Sequence, residues 1–266
     1  MVETDTNASD LAFLQDVVRE AGEIGLRYFN APNRVSYKSG NSPVTEADME
    51  IDSFLKSELM KRRPTYGWLS EETEDNLDRL SCHRVFIVDP IDGTRGFIDG
   101  RKEWCISIAI VEKNKPVVAA LHCPSLGQSF FAVKGGGISL VGCSVESEQK
   151  TNHFRVTASK KVIDFIDTLG DDTPFVTTPF IPSLAYRLAM VSQGRLEAAF
   201  ARGGACEWDV AAAELLLSEA NCSLTTAKGE ALGYNQEIVK LPALIACKTT
   251  LHDRLLSIAN STGIIQ

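Results

Sequence analysis

Two aspartates follow one apolar segment of the sequence at very short spacing. Residues 84–88 are rich in β-branched and aromatic side chains, and Asp89 and Asp92 come directly after them. We predict a strand that brings both carboxylates to its C-terminal end, where open α/β sheets usually bind their ligands. Two carboxylates this close repel each other unless a cation lies between them. The pair therefore predicts a metal site.

The residues around the two aspartates also favour a phosphate ligand. Pro90 stiffens the backbone between the acids, and Gly93 permits an unusual backbone angle or the close approach of a ligand. Thr94 can begin a helix, whose free N–H groups and positive dipole end favour an anion. The same peptide is typical of a turn that caps a helix, so the segment alone leaves both interpretations open.

Two further acidic positions follow apolar residues elsewhere in the chain. Glu71 and Glu72 come after Trp68 and Leu69, and Asp209 precedes an apolar stretch. Taken singly, adjacent glutamates are typical of a solvated strand end, and Asp209 is typical of a helix N-cap. The apolar run before the glutamates would bury their backbone, which favours a functional interpretation.

Helices and strands that could position these acids are visible in the first half of the chain. The tetrapeptide Thr45-Glu46-Ala47-Asp48 is a capping box and predicts the start of a helix. The expected elements are a helix capped at Ser9 or Asp10 that runs to Tyr28, a loop over 31–43 that contains Lys38, a helix over 45–62, a short strand near 68–72, and strands over 104–111, 116–122 and 129–133. This first half is α+β.

The second half alternates strands and helices more regularly. A polar stretch without periodicity, 144–150, separates the halves, which we place at 1–143 and 151–266. The expected strands are 154–157, 175–177, 196–201, 222–225 and 243–247, and the expected helices begin at Lys160, cover 184–193 and 208–220, and close the chain. Such alternation is typical of an α/β arrangement.

Composition limits the classes of function. The chain has 266 residues, a hydrophobic fraction of 44% and a net charge of -8, which argues against general binding to nucleic-acid backbones. An acidic total does not exclude a phosphate ligand, since bound metal ions reverse the local field. Seven cysteines without a CxxC pair indicate reduced, mostly buried thiols. We see no signal peptide or membrane span, and we expect a cytoplasmic protein.

Three motifs in this order resemble the signature motifs of the inositol monophosphatase superfamily. They are Ser70-Glu71-Glu72, Asp89-Pro90-Ile91-Asp92-Gly93-Thr94 and Glu207-Trp208-Asp209-Val210-Ala211-Ala212. Lys38 and the segment 43–48 are similar to that family's mobile loop and the helix start behind it. The resemblance runs from the first helix to the last strand. It implies a layered αβαβα sandwich of the sugar-phosphatase type, in which two closely packed halves form one catalytic unit.

The resemblance also implies a metal site with two or three Mg²⁺ ions. Glu71, Asp89 and the carbonyl of Ile91 would hold one ion. Asp89, Asp92 and Asp209 would hold a second, with Asp89 bridging the two. Glu71 or Glu72 would help to place a weaker third ion. Mg²⁺ takes carboxylate, carbonyl and water oxygens, and two such ions can clamp an in-line displacement.

The same resemblance assigns the attacking water and the phosphate. Thr94, with help from Asp48, would hydrogen-bond the water, and Glu71 would belong to the same catalytic group. The amides of Gly93 and Thr94 would hold phosphate oxygens. Such a reaction needs no Ser, Cys or His nucleophile, which suits a chain with four histidines, none of them near these motifs.

The substrate is less clearly indicated. Ser70, residues 94–98 and residues 183–187 look like the bacterial 3′(2′),5′-bisphosphate nucleotidase branch. Typical inositol monophosphatases have a glutamate seven residues before the last aspartate, and this chain has Arg202 there. An arginine can bind a second phosphate through a bidentate pair. Arg187, Arg202 and Lys38, with Asp209, are therefore candidates for the substrate site, and each arginine or lysine is also typical of a surface cation.

Three functions remain open from the sequence. The first is a Mg²⁺-dependent phosphatase acting on 3′-phosphoadenosine 5′-phosphate. The second is the same chemistry on inositol 1-phosphate or another small alcohol or sugar phosphate, including histidinol phosphate. The third is a non-catalytic regulatory protein of this fold that binds RNA or the transcription machinery. The predicted acids are all present, which favours an enzyme acting on a small phosphorylated metabolite. The resemblance also implies lithium sensitivity and a homodimer.

Overall fold

The computed structural model describes residues 2–31, 34–38, 42–143, 154–157 and 175–262. Its helices are α1 (Val2–Tyr28), α2 (Glu46–Arg62), α3 (Thr94–Ile98), α4 (Leu184–Ser192), α5 (Ala211–Glu219) and α6 (His252–Thr262). Its strands are β1 (Val35–Tyr37), β2 (Pro43–Thr45), β3 (Gly67–Ser70), β4 (Arg84–Asp92), β5 (Cys105–Glu112), β6 (Lys115–Cys123), β7 (Gln128–Val133), β8 (Ile138–Val141), β9 (Phe154–Thr157), β10 (Phe175–Thr177), β11 (Ala198–Ala201), β12 (Cys222–Thr226) and β13 (Leu244–Lys248).

Strands β3 to β8 form a six-stranded sheet in sequence order. β3 pairs with β4 in parallel, and the remaining neighbours are antiparallel. β4 is buried along its whole length, because helices cover both faces of the sheet. Phe86 and Val88 pack with α1 and α2, while Val85 and Ile87 pack with α4 and α5. This two-sided burial explains why β4 reads as a continuous apolar run.

A second sheet has the strand order β10-β9-β11-β13-β12. β9 is parallel to β10 and β11, and β13 is antiparallel to β11 and β12. Leu244 and Ala246 face the core shared with α4 and α5, and Ile245 and Cys247 face α6. The layers are therefore helices, sheet, helices, sheet and helix, which confirms the αβαβα sandwich.

Most of the expected elements of the described ranges lie where the sequence predicts them. α2 begins at the predicted capping box: Thr45 Oγ1 accepts from the Asp48 amide, and Asp48 accepts from the Thr45 amide at 2.8 Å. Strands β5, β6, β7, β9 and β10 and helix α4 match their predicted positions within two residues. These segments have local periodicity or caps strong enough to define them.

The predicted start of α1 is wrong. The helix begins at Val2, so neither Ser9 nor Asp10 caps it. Asp10 is instead buried, and its carboxylate accepts hydrogen bonds from Arg63 Nε at 2.7 Å and Arg84 Nη1 at 3.0 Å. Its partners come from a distant helix end and from β4, and for this reason local sequence did not reveal them.

Two other predictions in the first half need correction. The expected loop over 31–43 contains β1, which pairs antiparallel with β2. β8 was not predicted; it is an edge strand of the six-stranded sheet and pairs with β7. Both β1 and β8 are short strands with mostly exposed or half-buried side chains, and such strands carry little hydrophobic signal.

Some predictions fall outside the described residues. These are the polar boundary segment 144–150 and the helix expected from Lys160, and the division into halves at 1–143 and 151–266 stays a prediction. Among the helices of the described ranges, none combines the length and the apolar character needed to span a membrane.

Candidate active site

The two aspartates of β4 point to the same cavity because the strand contains a bulge. In the ladder with β5, Asp89 lies opposite Ser107 and Asp92 lies opposite Cys105, so β4 has one extra residue in this interval. Side chains three positions apart on a regular strand face opposite sides of the sheet. The extra residue reverses this alternation, and Pro90 suits the position because it cannot donate to the ladder.

Three carboxylates from distant parts of the chain meet at this point. One oxygen each of Glu71, Asp89 and Asp209 lies within 4.8 Å of the other two. Asp89 Oδ1 accepts a hydrogen bond from the amide of Ile91 at 3.0 Å. Asp89 Oδ2 is buried and has no hydrogen-bond partner within the described ranges. An anionic oxygen buried in this way is costly unless a cation compensates it.

The electrostatics of the cluster favour a bound cation. Burial raises the pKa of Asp89 well above its usual range, and the negative charges of Glu71 and Asp92 raise it further. Burial and the charge of Asp92 raise the pKa of Asp209 to about 8. The donor set consists of oxygen atoms alone, which is the set that Mg²⁺ prefers. The residues present therefore fit a magnesium site.

Asp92 is held by the start of helix α4. Its Oδ2 accepts hydrogen bonds from the Ser183 hydroxyl and from the amide of Ala185, the latter at 2.6 Å. Burial raises the pKa of Asp92, and these hydrogen bonds oppose the effect. Because Oδ2 is occupied by donors from α4, Oδ1 is the oxygen that can serve a ligand in the cavity.

Thr94 and Asp48 lie beside the acids as the sequence predicts. The Thr94 hydroxyl is 3.1 Å from Asp48 Oδ1 and 3.0 Å from the carbonyl oxygen of Ile91. Asp48 is buried, and its other oxygen accepts from the Thr45 hydroxyl at 2.6 Å. One capping box thus begins α2 and orients a carboxylate toward Thr94. Burial raises the pKa of Asp48.

Gly93 needs to be a glycine for two reasons. Its φ is +97°, in the region that favours glycine, and a Cβ there would lie 3.2 Å from the Ser183 amide nitrogen. The residue joins the end of β4 to α3 and lies against the segment that leads into α4. Gly93 and Thr94 both line the cavity, where the sequence predicts phosphate contacts.

The turn after β3 is fixed by a residue that sequence reasoning missed. Asp52 on α2 is buried and accepts hydrogen bonds from the hydroxyls of Ser70 and Thr73, the latter at 2.7 Å. The indole N–H of Trp68 donates to the same Thr73 hydroxyl at 3.2 Å. These bonds hold both ends of the turn that carries Glu71. The spacing of Asp52 from Ser70 gave no local signal for this contact.

Lys38 contacts the side chains of Glu71 and Glu72 and is not among the described residues that line the cavity. Its Nζ donates to Glu71 Oε1 at 3.0 Å and to Glu72 Oε1 at 2.7 Å. Burial nevertheless raises the pKa of Glu72 to about 7, against the lowering effect of the lysine. The ammonium group is thus positioned to neutralise carboxylates at the edge of the acidic cluster.

Asp209 is not the N-cap that its position suggested. α5 begins at Ala211, and its N-cap is Val210, which makes no side-chain cap bond. Asp209 closes a short 3₁₀ turn instead, and its Oδ2 accepts from the Cys206 amide at 2.7 Å. This tight turn before the helix directs the carboxylate at the cluster, so the helix predicted from residue 208 starts three residues later.

The acids form the floor of a cavity of about 430 Å³. Its floor and walls include Glu71, Asp89, Asp92, Thr94 and Asp209. Its rim was not expected from the sequence and consists of Arg95, Asp99, Arg101, Phe180 and Pro182. The rim side chains come from α3, from the loop after it and from the segment before α4.

Neither of the two arginines predicted to bind substrate is among the described residues that line this cavity. Burial lowers the pKa of Arg187, and the nearby negative charges of Asp92 and Asp209 oppose this effect. The Arg187 Nε donates to the Ser183 carbonyl at 3.3 Å. Arg202 is exposed just after β11. The structure therefore brings Arg187 behind the acids and leaves Arg202 at the surface.

Comparisons with known proteins find relatives that match most of this chain. A model of the inositol monophosphatase family matches residues 7–263. The chain is 33% identical over 220 residues to the inositol monophosphatase of Dictyostelium discoideum, covering 77% of this chain and 80% of the relative. It is 29% identical over 234 residues to the 3′(2′),5′-bisphosphate nucleotidase CysQ of Haemophilus influenzae, covering 83% and 85%.

Solved structures show the same fold. An inositol monophosphatase structure from Thermotoga maritima superposes with a TM-score of 0.79 at 24% identity, covering 95% of this chain and 97% of that one. The fold of this chain is thus shared with that solved structure.

Proposed function

This chain belongs to the inositol monophosphatase family and is a phosphoric monoester hydrolase, and from this premise we propose that its substrate is 3′-phosphoadenosine 5′-phosphate. Members of the family act on small phosphorylated substrates and depend on a metal ion, generally Mg²⁺. In the proposed reaction, water and the 3′-phosphate ester give inorganic phosphate and the 3′-hydroxyl of the nucleotide.

One observation carries the hydrolytic part of this proposal. The buried Oδ2 of Asp89 has no donor in the described parts of the chain, although carboxylate oxygens of Glu71 and Asp209 lie close to the Asp89 side chain. A buried carboxylate oxygen without a hydrogen-bond donor is costly, and a bound cation would compensate it. The acids are therefore best explained as metal ligands.

We assign the ligands of two Mg²⁺ ions by residue. Glu71, Asp89 and the carbonyl of Ile91 would hold the first, and Asp89, Asp92 and Asp209 would hold the second. Bound Mg²⁺ would supply charge for activating water and for stabilising the leaving oxygen. A third, weaker ion would lie near Glu71 and Glu72, which Lys38 contacts in this structure.

The chain's own groups would orient the attacking water. A Thr94 hydroxyl that donates to Asp48 Oδ1 keeps its lone pairs available to accept a hydrogen bond from that water. Asp48 is locked by the capping box of α2, so the hydroxyl has a fixed direction. The amides of Gly93 and Thr94 would bind oxygens of the transferred phosphate, at the start of α3.

The nucleotide assignment rests on sequence and on the cavity rim. Relatives named 3′(2′),5′-bisphosphate nucleotidase match this chain over most of its length. Position 202 carries an arginine, where a glutamate would accept hydroxyl hydrogen bonds. The rim adds Arg95 and Arg101, which suit an anionic end of a substrate better than a polyol.

A second candidate is hydrolysis of inositol 1-phosphate or a related alcohol phosphate. It is favoured by the 33% identity to an inositol monophosphatase, which is higher than the identity to the nucleotidase above. Asp99 on the rim could also accept hydrogen bonds from ring hydroxyls. The two candidates share the metal site and differ only in the group that the rim recognises.

The test is phosphate release from a small panel with Mg²⁺. The panel contains 3′-phosphoadenosine 5′-phosphate, inositol 1-phosphate, fructose 1,6-bisphosphate and histidinol phosphate. We expect the highest kcat/KM for the nucleotide and loss of all turnover with a chelator. A higher kcat/KM for inositol 1-phosphate contradicts the nucleotide assignment and supports the second candidate.

Asp92→Asn tests the metal assignment in the same assay. The asparagine oxygen can still accept from Ser183 and Ala185, so the fold should persist while a charged ligand is lost. We expect turnover to be abolished with little change in thermal unfolding. Near-normal turnover in Asp92→Asn contradicts the metal assignment. A silent panel, with retention of RNA or a transcription protein by the purified chain, supports a non-catalytic role instead.

A further inference from the structure

The rim of the cavity carries an aromatic side chain and a guanidinium group that touch each other. Phe180 is 66% exposed, and the Arg101 guanidinium lies 5.8 Å from the centre of its ring. An Arg101 Nη2 donor also binds the main-chain carbonyl of Phe180. The two residues are 79 positions apart in sequence, so the contact depends on the tertiary fold.

Much of the hydrogen-bonding capacity of Arg101 remains available to a ligand. A guanidinium group has five N–H donors. Nη2 binds the Phe180 carbonyl, and Nε lies 3.7 Å from Glu103 Oε2, which is longer than a strong charge-assisted hydrogen bond. Within the described ranges no contact is recorded for Nη1. The side chain is 36% exposed, so a ligand in the cavity can reach it.

The rim is held at a fixed position relative to the acids. The amide of Arg101 donates to the Gly96 carbonyl at 2.9 Å, which ties the arginine to α3. A Cβ on Gly96 would lie 2.5 Å from Pro182 Cγ, so α3 packs closely against the segment that carries Phe180. The same segment continues into Ser183, which binds Asp92. The distance from rim to floor is thus set by rigid packing.

We propose that Phe180 and Arg101 form the binding site for the non-reacting end of a nucleoside bisphosphate, with the base stacked on Phe180 and the second phosphate bound by Arg101. This inference rests on the proposed function and names its specificity residues. Exposed aromatic rings stack on bases, and a guanidinium binds phosphate through its planar N–H pairs. A polyol phosphate offers neither a ring face nor a second anion to this pair.

The structure favours this pair over the arginine that the sequence pointed to. Arg202 is exposed and lies outside the described lining of the cavity, whereas Arg101 lines it. Arg95 also lies on the rim and adds a second positive charge beside the site. Asp99 is the rim group that would instead favour hydroxyl groups, so the experiment must separate nucleotides from polyols.

Three substrates and four variants test the proposal on the Mg²⁺-loaded protein. The substrates are 3′-phosphoadenosine 5′-phosphate, 3′-AMP, which lacks the second phosphate, and inositol 1-phosphate, which lacks the base as well. The variants are Arg101→Gln, Phe180→Leu, Arg202→Gln and the control Lys102→Gln, which removes an exposed charge from the same loop as Arg101. Thermal unfolding of each variant confirms folding.

Each variant has its own expected pattern. Arg101→Gln should lower kcat/KM for the bisphosphate about tenfold or more and leave 3′-AMP and inositol 1-phosphate within about twofold. Phe180→Leu should lower kcat/KM about tenfold for both nucleotides and spare inositol 1-phosphate. Lys102→Gln should leave the three values within about twofold.

Other patterns overturn the inference. Equal losses of kcat/KM on all three substrates indicate a structural role for the pair. If kcat/KM for the bisphosphate falls selectively in Arg202→Gln but not in Arg101→Gln, Arg202 binds the second phosphate instead. If the unmodified protein hydrolyses 3′-phosphoadenosine 5′-phosphate and the variants show either pattern, only this inference fails. If the unmodified protein prefers inositol 1-phosphate, or releases no phosphate at all, the proposed function fails with it.

Discussion

The Oδ2 atom of Asp92 accepts a hydrogen bond from the Ala185 amide at 2.6 Å, across 93 residues of sequence. The bond joins the end of β4 to the first turn of α4, which lies between the two sheets. A carboxylate at a helix N-terminus is favoured by the free amides and by the helix dipole. Helix α4 therefore orients an acid that belongs to the first sheet, and the cavity depends on both halves of the chain.

Ser183→Ala tests this link between α4 and Asp92. The hydroxyl donates to Asp92 and accepts from the Tyr186 amide at 3.0 Å, so it also caps α4. We expect an unfolding free energy lower by about 1–3 kcal/mol and a kcat/KM lower by about tenfold. Thermal unfolding and steady-state kinetics measure the two effects.

Ser192→Ala is the matched control for that variant. Ser192 is also buried on α4, but its hydroxyl donates to the Ala189 carbonyl at 2.8 Å, away from the cavity. We expect a stability loss of about 1 kcal/mol and an unchanged kcat/KM. Equal kinetic losses in Ser183→Ala and Ser192→Ala contradict a positioning role for Ser183.

Thr94→Val tests the orientation of the attacking water. The Thr94 hydroxyl lies 3.1 Å from Asp48 Oδ1, and valine keeps the shape of the side chain without this group. We expect kcat to fall about a hundredfold or more, because a positioned proton-transfer group commonly contributes this much. Thr94→Ser keeps the hydroxyl and should stay within about threefold of the unmodified kcat. Equal losses in the two variants would contradict a specific role for the hydroxyl, because Thr94→Ser retains it.

Asp52→Ala tests the support of the turn that carries Glu71. Loss of the acceptor for Ser70 and Thr73 frees both ends of this turn. We expect the Mg²⁺ concentration for half-maximal rate to rise about tenfold, as is typical when a residue behind a metal ligand is removed. The kcat at saturating Mg²⁺ should change much less. Asp16→Ala, on the exposed face of α1, is the control and should leave the Mg²⁺ dependence unchanged.

The positions of the candidate residues were easiest to predict where one short segment carries the signal. Asp89 and Asp92 stand in one hexapeptide, and the Thr45–Asp48 capping box is a local pattern with a physical cause. The structure places both where the sequence indicated. Glu71 and Asp209 needed the family resemblance, because each is ambiguous when taken alone.

Contacts between distant segments could not be predicted in this way. Asp10 pairs with Arg84 across 74 residues, and Arg101 meets Phe180 across 79. Neither pair leaves a periodicity or a cap in the local sequence. For the same reason the predicted start of α1 was too late, and no sequence pattern indicated Arg101 and Phe180 as neighbours at the cavity. Tertiary neighbours, which decide the role of a charged side chain, are fixed only by the fold.

The stability gained from Mg²⁺ should depend on pH. In the metal-free protein the pKa of Asp209 is raised to about 8 and that of Glu72 to about 7, whereas both groups titrate near 4 in an unfolded chain. Between about pH 4 and pH 8 the folded state therefore binds more protons than the unfolded state. The stability of the metal-free protein falls as the pH rises through this window, and bound Mg²⁺ removes the cause by favouring the charged carboxylates.

Thermal unfolding with excess Mg²⁺ and with a chelator, measured at several pH values between 5.5 and 8.5, checks this prediction. We expect the difference in Tm between the two conditions to increase with pH across this window, because fewer protons must be displaced from the carboxylates as the pH rises. Asp209→Asn should flatten the rise, since it removes one of the groups whose raised pKa causes it. Glu20→Gln, an exposed change on α1, should leave the rise intact. A Tm difference that is independent of pH contradicts the assignment of these buried acids as ligands.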